Sequence, residues 1–124
     1  MSDRLREYLG HMAIAASDAC GFVDGMNKSD FLSDKRTQQA VIMSLVIIGE
    51  AATKLMDRYP TFTDGHAEVP WRSMRGMRNR VTHGYFEIDV EMVWETVQTA
   101  LPDLLGKLDG MLELPRKEDD SNTD

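Results

Sequence analysis

The sequence predicts an all-α protein, folded as an up-and-down four-helix bundle. Apolar residues recur at three- and four-residue spacing over long stretches, and no segment alternates convincingly as a strand would. Hydrophobic residues make up 42% of the 124 positions but aromatic residues only 7%, with nine methionines, which suits packed helices better than sheets. The length points to one domain. We assign that domain to residues 1–114 and expect 115–124 to be a disordered acidic tail.

The first predicted helix starts at Ser2, a residue type that often caps helices, and runs to about Val23. Its apolar positions follow helical spacing: Leu5, Leu9, Met12, Ala13 and Ala16. Segment 25–34, GMNKSDFLSD, is expected to form a polar turn, with Ser29 or Asp30 as possible caps.

The second predicted helix starts at Ser33 or Asp34 and ends before Pro60, which cannot continue it. It carries two neighbouring apolar stripes. One consists of Val41, Leu45, Ile48, Ala52, Leu55 and Tyr59, and the other of Ala40, Met43, Ile47 and Ala51. So broad an apolar face predicts burial on more than one side.

The third predicted helix follows a loop at 61–70, starts around Pro70 and Trp71, and ends near His83. Gly84 comes directly after its last turn. We expect this glycine to adopt the left-handed conformation with which many helices end.

The fourth predicted helix follows a crossover at 85–89 and runs from about Asp89 to Met111. Pro102 lies inside it and should kink or split it, because proline lacks the backbone N–H that a helix interior needs. Trp71, Trp94, Met74 and Met92 are expected in the core.

The charge pattern places a small cationic patch on an acidic chain. The net charge is −7, which argues against indiscriminate coating of nucleic acid. No acidic residue occurs between Glu68 and Glu87, and four of the fourteen basic residues fall within nine of those positions: Arg72, Arg75, Arg78 and Arg80. This patch is compatible with a phosphate-bearing ligand at one place.

The sequence also indicates a soluble cytoplasmic protein. Cys20 is the single cysteine and cannot form an internal disulfide. The first residues are charged from position 3 onward, unlike a signal peptide, and no apolar run approaches the ~18–20 residues of a membrane span.

Arg78 and His83 are the first candidates for chemistry. An imidazole that titrates near neutrality suits general acid–base catalysis, and a forked guanidinium suits a phosphate. Five residues apart, the two lie roughly 140° apart around an ideal helix, so the spacing alone does not assemble a site. Asn79 shares a face with His83 and could orient its ring. The alternative is that these residues are only cations near a helix C-terminus, where they complement the helix dipole. The spacing by itself favours this alternative.

Glu50 is the only charged residue between Thr37 and Thr53, on a helix expected to be buried on two sides. A buried carboxylate is costly unless it is paired. We therefore expect an ion pair with an arginine of the third helix, either purely structural or holding Arg78 or an RNA-facing arginine in position. There is no cysteine pair or His-x3-His spacing for a structural zinc, and no phosphate-loop spacing for nucleotide hydrolysis.

The segment Arg78–Tyr85, RNRVTHGY, resembles the R-x4-H-x-Y signature of HEPN-domain proteins, specifically the HepT-like toxins. The resemblance extends to residues 31–55, with their Gly-Glu-Ala, and to residues 69–105, with their Pro-Trp start and late Leu-Pro. These stretches cover about half of the chain.

The resemblance implies a four-helix ribonuclease toxin of a type VII-like toxin–antitoxin pair, with a nucleotidyltransferase of the MNT type as its antitoxin. Family members are typically homodimers whose two motifs face each other across a cleft, so that Arg78 of one chain and His83 of the other act together. The implied RNA cleavage needs no metal ion or other cofactor. A non-catalytic helical module that binds a nucleotide or a partner in the same cleft is the alternative.

The resemblance also implies roles for individual residues. His83 acts as general base or acid, and Arg78 binds the scissile phosphate. Asn79 orients or contacts that phosphate. Tyr85 matches the tyrosine to which some antitoxins add AMP. Of the remaining arginines in the patch, Arg75 and Arg80 are the expected RNA contacts.

Overall fold

The computed structural model describes residues 2–113 and is helical throughout, with no strand among those residues, which confirms the all-α prediction. The long helices are α1 (Asp3–Phe22), α3 (Lys35–Arg58), α5 (Trp71–His83) and α7 (Leu101–Leu112). Shorter ones are α2 (Lys28–Leu32), α4 (Pro60–Asp64) and α6 (Val90–Glu95). The predicted tail at 115–124 lies outside the described residues. The four-helix bundle, the homodimer and the domain boundary at residue 114 stay predictions.

Helix α1 begins where the sequence places it, because the Ser2 hydroxyl accepts a hydrogen bond from the Leu5 N–H at 3.1 Å. The expected turn at 25–34 contains the short helix α2. Its cap is Asn27, and Asn27 and Asp30 accept each other's backbone N–H. The sequence prediction of Ser29 or Asp30 as the cap is therefore wrong.

Asp34, one of the two predicted caps, starts α3. Its carboxylate accepts hydrogen bonds from the backbone N–H of Thr37 at 3.0 Å and from the Thr37 hydroxyl at 2.8 Å. These two bonds hold the pKa of Asp34 below its usual value. At the other end, Pro60 terminates α3 and starts α4, so part of the predicted loop at 61–70 is helical.

The two apolar stripes of α3 differ in how far they are buried. The first stripe is buried, with Tyr59 partly so. On the second stripe Ala51 is buried, but Met43 and Ile47 keep 58% and 41% of their surface exposed. Burial of α3 on more than one side is therefore incomplete in a single chain.

Helix α3 is also long and apolar enough to cross a membrane by length and mean hydropathy. Half of its most apolar window is buried inside the protein, however, and α3 packs between α1 and α5. A core helix has these properties, and we describe α3 as the central helix of the fold.

Helix α5 ends at His83, as predicted, but its end is not left-handed. Gly84 has φ −155° and ψ 47°, and the chain continues directly into a 3₁₀ turn at Tyr85–Glu87. Gly25, at φ 79°, is the residue with positive φ among those described. The prediction for Gly84 is wrong because its φ is extended, and the chain forms the next turn from that conformation.

The predicted fourth helix is continuous from Val90 to Leu112 but contains a π-helical turn at Thr96–Ala100, where the Leu101 N–H donates to the Thr96 carbonyl. Pro102 follows as the second residue of α7. The kink expected at Pro102 thus takes the form of a π-helical turn just before it. This wider turn accommodates Pro102, which cannot donate a backbone hydrogen bond.

The core forms where α1 packs on α3 and on α7, and α3 on α5. Trp71 and Trp94 are buried in it, and Met74 packs against it. Met92 is 50% exposed, so its predicted core position is wrong. The arrangement leaves the outer face of α5 and the start of α6 open to solvent.

Candidate functional site

Helices α3 and α5 approach each other closely at Gly49. A Cβ placed on Gly49 would lie 2.7 Å from the Met74 carbonyl oxygen and 3.2 Å from Arg78 Cγ, and closer still to Arg78 Cβ. Only a residue without a side chain fits here. The crossing therefore places the first carbons of the Arg78 side chain directly on the backbone of α3.

The Arg78 guanidinium is held by two side chains of α3. Its Nη1 lies 3.4 Å from Glu50 Oε2, and its Nη2 donates to the Thr53 hydroxyl at 3.2 Å. Thr53 in turn donates to the Gly49 carbonyl at 2.8 Å, which fixes its orientation. The Arg78 Nε is buried with no acceptor among the described residues, and the side chain is only 21% exposed. Arg78 is therefore a cation that α3 orients in advance.

Glu50 meets the expected arginine, but it is not buried. Its side chain is 52% exposed. The prediction of a buried carboxylate is wrong because the α3 face that carries Glu50 is the one left open, beside Ile47. The ion pair is consequently a solvated one, which contributes little to stability by itself.

His83 lies on the side of α5 that faces away from Glu50 and Thr53, and it is exposed there. It borders a cavity of about 680 Å³ between the C-terminal half of α5 and the start of α6. Asn79 and Arg80 line the same wall, and no hydrogen bond joins the Asn79 amide to the imidazole among residues 2–113. The other lining residues are Met77, Val81, Gly84, Glu87, Ile88, Asp89, Met92 and Val93.

A single chain thus does not bring Arg78 and His83 together. Arg78 turns toward α3 and His83 toward α6, in agreement with their predicted angular separation. Arg80 is the arginine that shares a cavity with His83. Apart from a 3.9 Å contact between its Nη2 and the Met77 sulfur, its guanidinium has no partner within the described residues.

The other arginines of the patch lie toward the start of α5. Arg75 and Arg72 line a separate cavity of about 530 Å³, together with Asp57 and Asp64. Arg75 and Arg80 therefore belong to different cavities, and the predicted RNA-binding pair is spread along the helix.

Tyr85 lies just past the end of α5 and is 43% exposed. Its hydroxyl accepts a hydrogen bond from Gln39 Nε2 of α3 at 3.4 Å. Phe86 packs edge-on against the Tyr85 ring and is itself 98% exposed. The Tyr85 hydroxyl is thus anchored loosely and accessible at the surface.

Three further residues belong to the site although no sequence pattern singles them out: Gly49, Thr53 and Glu87. Thr53 could have been found, because it lies three residues after Glu50 and so near the same face of α3. Glu87 ends the stretch without acidic residues that follows Glu68 but has no pattern of its own. In the described part of the chain no three His, Cys, Asp or Glu side chains are grouped to hold a metal ion.

A family model described as ribonuclease HepT-like matches residues 12–110. The "Probable ribonuclease HepT" of Thermococcus cleftensis is 39% identical over 104 residues, covering 84% of this chain and 92% of that protein. The "Putative RNase MJ0127" of Methanocaldococcus jannaschii is 31% identical over 118 residues, 95% of each chain. A third relative, the "Putative RNase TTE0752" of Caldanaerobacter subterraneus subsp. tengcongensis, is 34% identical over 99 residues, 80% of this chain and 86% of that protein. No solved structure matches the chain.

Proposed function

The chain belongs to the HepT-like ribonuclease family, and on that premise we propose that it is the toxin of a type VII-like toxin–antitoxin pair, an endonuclease that cleaves RNA in the cytoplasm without a metal ion. The family match across residues 12–110, which include the Arg78–Tyr85 motif, carries this proposal. The names of the relatives support ribonuclease activity as its general form.

The proposed reaction is attack of a ribose 2′-oxygen on the neighbouring phosphorus. The 2′-hydroxyl loses its proton, the bond from phosphorus to the 5′-oxygen breaks, and the departing 5′-oxygen takes up a proton. His83 makes one of these proton transfers as general base or acid. Arg78 binds the scissile phosphate and stabilises the charge that develops on it. Asn79 contacts the phosphate beside His83.

The separation of Arg78 and His83 within one chain favours a homodimeric site, in which each cleft combines Arg78 of one protomer with His83 of its partner. Met43 and Ile47, exposed on the outer face of α3, supply apolar surface that such a dimer would cover. Glu50, on the same face, holds Arg78 there. Glu50 and Thr53 then orient the Arg78 guanidinium before RNA binds, which lowers the free-energy cost of ordering this side chain in the complex.

The proposed antitoxin is a nucleotidyltransferase of the MNT type that transfers AMP from ATP to the Tyr85 oxygen, which loses its proton, while pyrophosphate leaves. Tyr85 is accessible to such an enzyme, because it is 43% exposed and its hydroxyl is bonded, among residues 2–113, to Gln39 alone. An added phosphate there would compete with RNA for the arginines of the patch, including Arg80. This silences the toxin without altering its fold.

The test compares purified wild type, His83→Ala and the control His66→Ala on total cellular RNA, with EDTA present. His66 lies in the turn after α4, contacts Glu68 at 3.2 Å, and lines neither the cavity beside His83 nor the one beside Ile47 and Glu50. We expect discrete cleavage by wild type and His66→Ala and a loss of about 10²–10⁴-fold in His83→Ala, the range that general acid–base catalysis contributes.

Light scattering establishes whether all three samples are the same oligomer. Equal cleavage by wild type and His83→Ala would indicate a contaminating nuclease and contradict the proposal. No cleavage by wild type whose mass shows an unmodified Tyr85 would favour the non-catalytic binding module.

A further inference from the structure

The cavity beside His83 is lined by three chemically distinct groups of residues. Asn79, Arg80 and His83 form a polar wall. Met77, Ile88 and Met92 form an apolar floor, and the carboxylates of Glu87, next to Gly84, and of Asp89 form an acidic edge. Its volume of about 680 Å³ falls within the range of small-molecule sites.

The charges of this cavity do not suit a phosphate group in its interior. Two carboxylates line the same cavity as one guanidinium and one imidazole, so an anion would be attracted only beside Arg80 and His83. The floor and the acidic edge instead favour a flat, uncharged group that can donate hydrogen bonds. Met92, half exposed although apolar, lies where such a group would cover it.

The two carboxylates differ in availability. Asp89 caps α6, and its Oδ1 already accepts hydrogen bonds from the backbone N–H of Glu91 at 3.0 Å and of Met92 at 3.3 Å. Glu87 makes no ion pair or side-chain hydrogen bond within residues 2–113. Its Oε1 would lie 3.2 Å from a Cβ on Gly84, so the absence of a side chain at Gly84 leaves room for this carboxylate beside His83.

We propose that this cavity binds an unpaired RNA base that carries an exocyclic amino group, adenine, cytosine or guanine, and that Glu87 selects it. The proposal rests on the ribonuclease function and names the substrate class of that site. The ribose and phosphate of the bound nucleotide lie against His83 and Arg80, and the base lies on the methionine floor. The Glu87 carboxylate accepts a hydrogen bond from the amino group, as carboxylates do from cytosine N4. Uracil presents carbonyl oxygens at the corresponding position and is disfavoured.

The experiment uses 5′-labelled oligoadenylate, oligocytidylate and oligouridylate of equal length. Cleavage rates and binding, the latter by fluorescence anisotropy, are measured for wild type, Glu87→Gln and the control Glu91→Gln. Glu91 is one turn away, outside the cavity, and pairs with Lys28 at 3.5 Å. A glutamine amide can donate as well as accept, so it should admit uracil.

We expect wild type and Glu91→Gln to favour oligoadenylate and oligocytidylate over oligouridylate by about tenfold or more, the effect of a hydrogen bond to a charged group. Glu87→Gln should reduce this ratio severalfold, and Glu91→Gln should leave it unchanged. Met92→Ala should weaken binding of all three oligomers alike.

An unchanged ratio in Glu87→Gln, or a wild-type preference for oligouridylate, would overturn the base-selection proposal and leave the ribonuclease function intact. If wild type cleaves neither the oligomers nor total RNA, the ribonuclease function fails. The binding ratio then decides the base selection separately.

Discussion

Gly49 of α3 and Arg78 of α5 lie against each other without room for one more carbon atom between them. This contact sets how close the two helices come and directs the Arg78 guanidinium toward Glu50 and Thr53. The absence of a side chain at Gly49 of α3 thus positions Arg78 of α5, the cation that the proposed reaction needs.

Gly49→Ala should therefore destabilise the protein although alanine is the better helix former. The added methyl group meets the Met74 carbonyl oxygen and the Arg78 side chain, and overpacking of this kind costs roughly 1–3 kcal/mol. Urea unfolding measures the change. The matched control is Gly106→Ala in α7, where a Cβ has no neighbour within 4 Å. This control should be neutral or stabilise by up to about 1 kcal/mol. Equal stability of Gly49→Ala and wild type would contradict the tight crossing.

Thr53→Val should lower cleavage without altering the fold, because valine keeps the shape of threonine but cannot accept the hydrogen bond from Arg78 Nη2. A hydrogen bond to a charged group contributes ~1.5 kcal/mol or more, so kcat/KM should fall about tenfold. Thr53→Ser, which keeps the hydroxyl, should retain activity. If the serine variant loses as much as the valine variant, packing and not the hydroxyl is what matters.

In the single chain Glu50→Gln should change stability by at most ~0.5 kcal/mol, since about half of the Glu50 side chain is exposed to solvent. Its effect on cleavage should be weaker at high salt than at low salt, because salt screens an exposed pair. Thermal unfolding and RNA cleavage at two salt concentrations test both statements. A loss of several kcal/mol would mean that Glu50 is buried, for instance by a partner chain.

Asp34 should make folding sensitive to acid. Its hydrogen bonds with Thr37 lower its pKa in the folded state, so the carboxylate stabilises α3 above the unfolded-state pKa of ~3.9 and loses this effect as the pH falls through the lower, folded value. Asp34→Asn keeps a capping acceptor but cannot titrate. Its urea midpoint should consequently drop less than that of wild type between pH 7 and pH 3. Parallel decreases in the two proteins would show that Asp34 does not contribute.

Trp71→Phe should cost more than Trp94→Phe. The buried Trp71 indole donates to the carbonyls of Thr63 at 3.1 Å and His66 at 3.0 Å, and loss of this donor leaves acceptors unsatisfied, at about 1–3 kcal/mol. Trp94 packs against Phe31 with ring centroids 5.3 Å apart, and no side-chain hydrogen bond from it occurs in the described residues. Equal urea midpoints for the two variants would contradict a structural role for the Trp71 hydrogen bonds.

The sequence by itself determined the helical class, the bounds of α1, α3 and α5 to within a residue or two, and the pairing of Glu50 with an arginine of α5. These features are local. Side-chain periodicity, capping residues and prolines act within a few positions along the chain, so the sequence displays them directly.

The tertiary structure alone decided which faces are covered and which residues share a cavity. Periodicity gives the direction of a side chain around its own helix axis but not the neighbour that it meets. Hence Glu50 and Met92 are exposed where burial was predicted, and His83 lies with Arg80 and Glu87 while Arg78 lies with Thr53. The close approach at Gly49 fixes this division, because it determines which side of α5 rests on α3 and which side stays open.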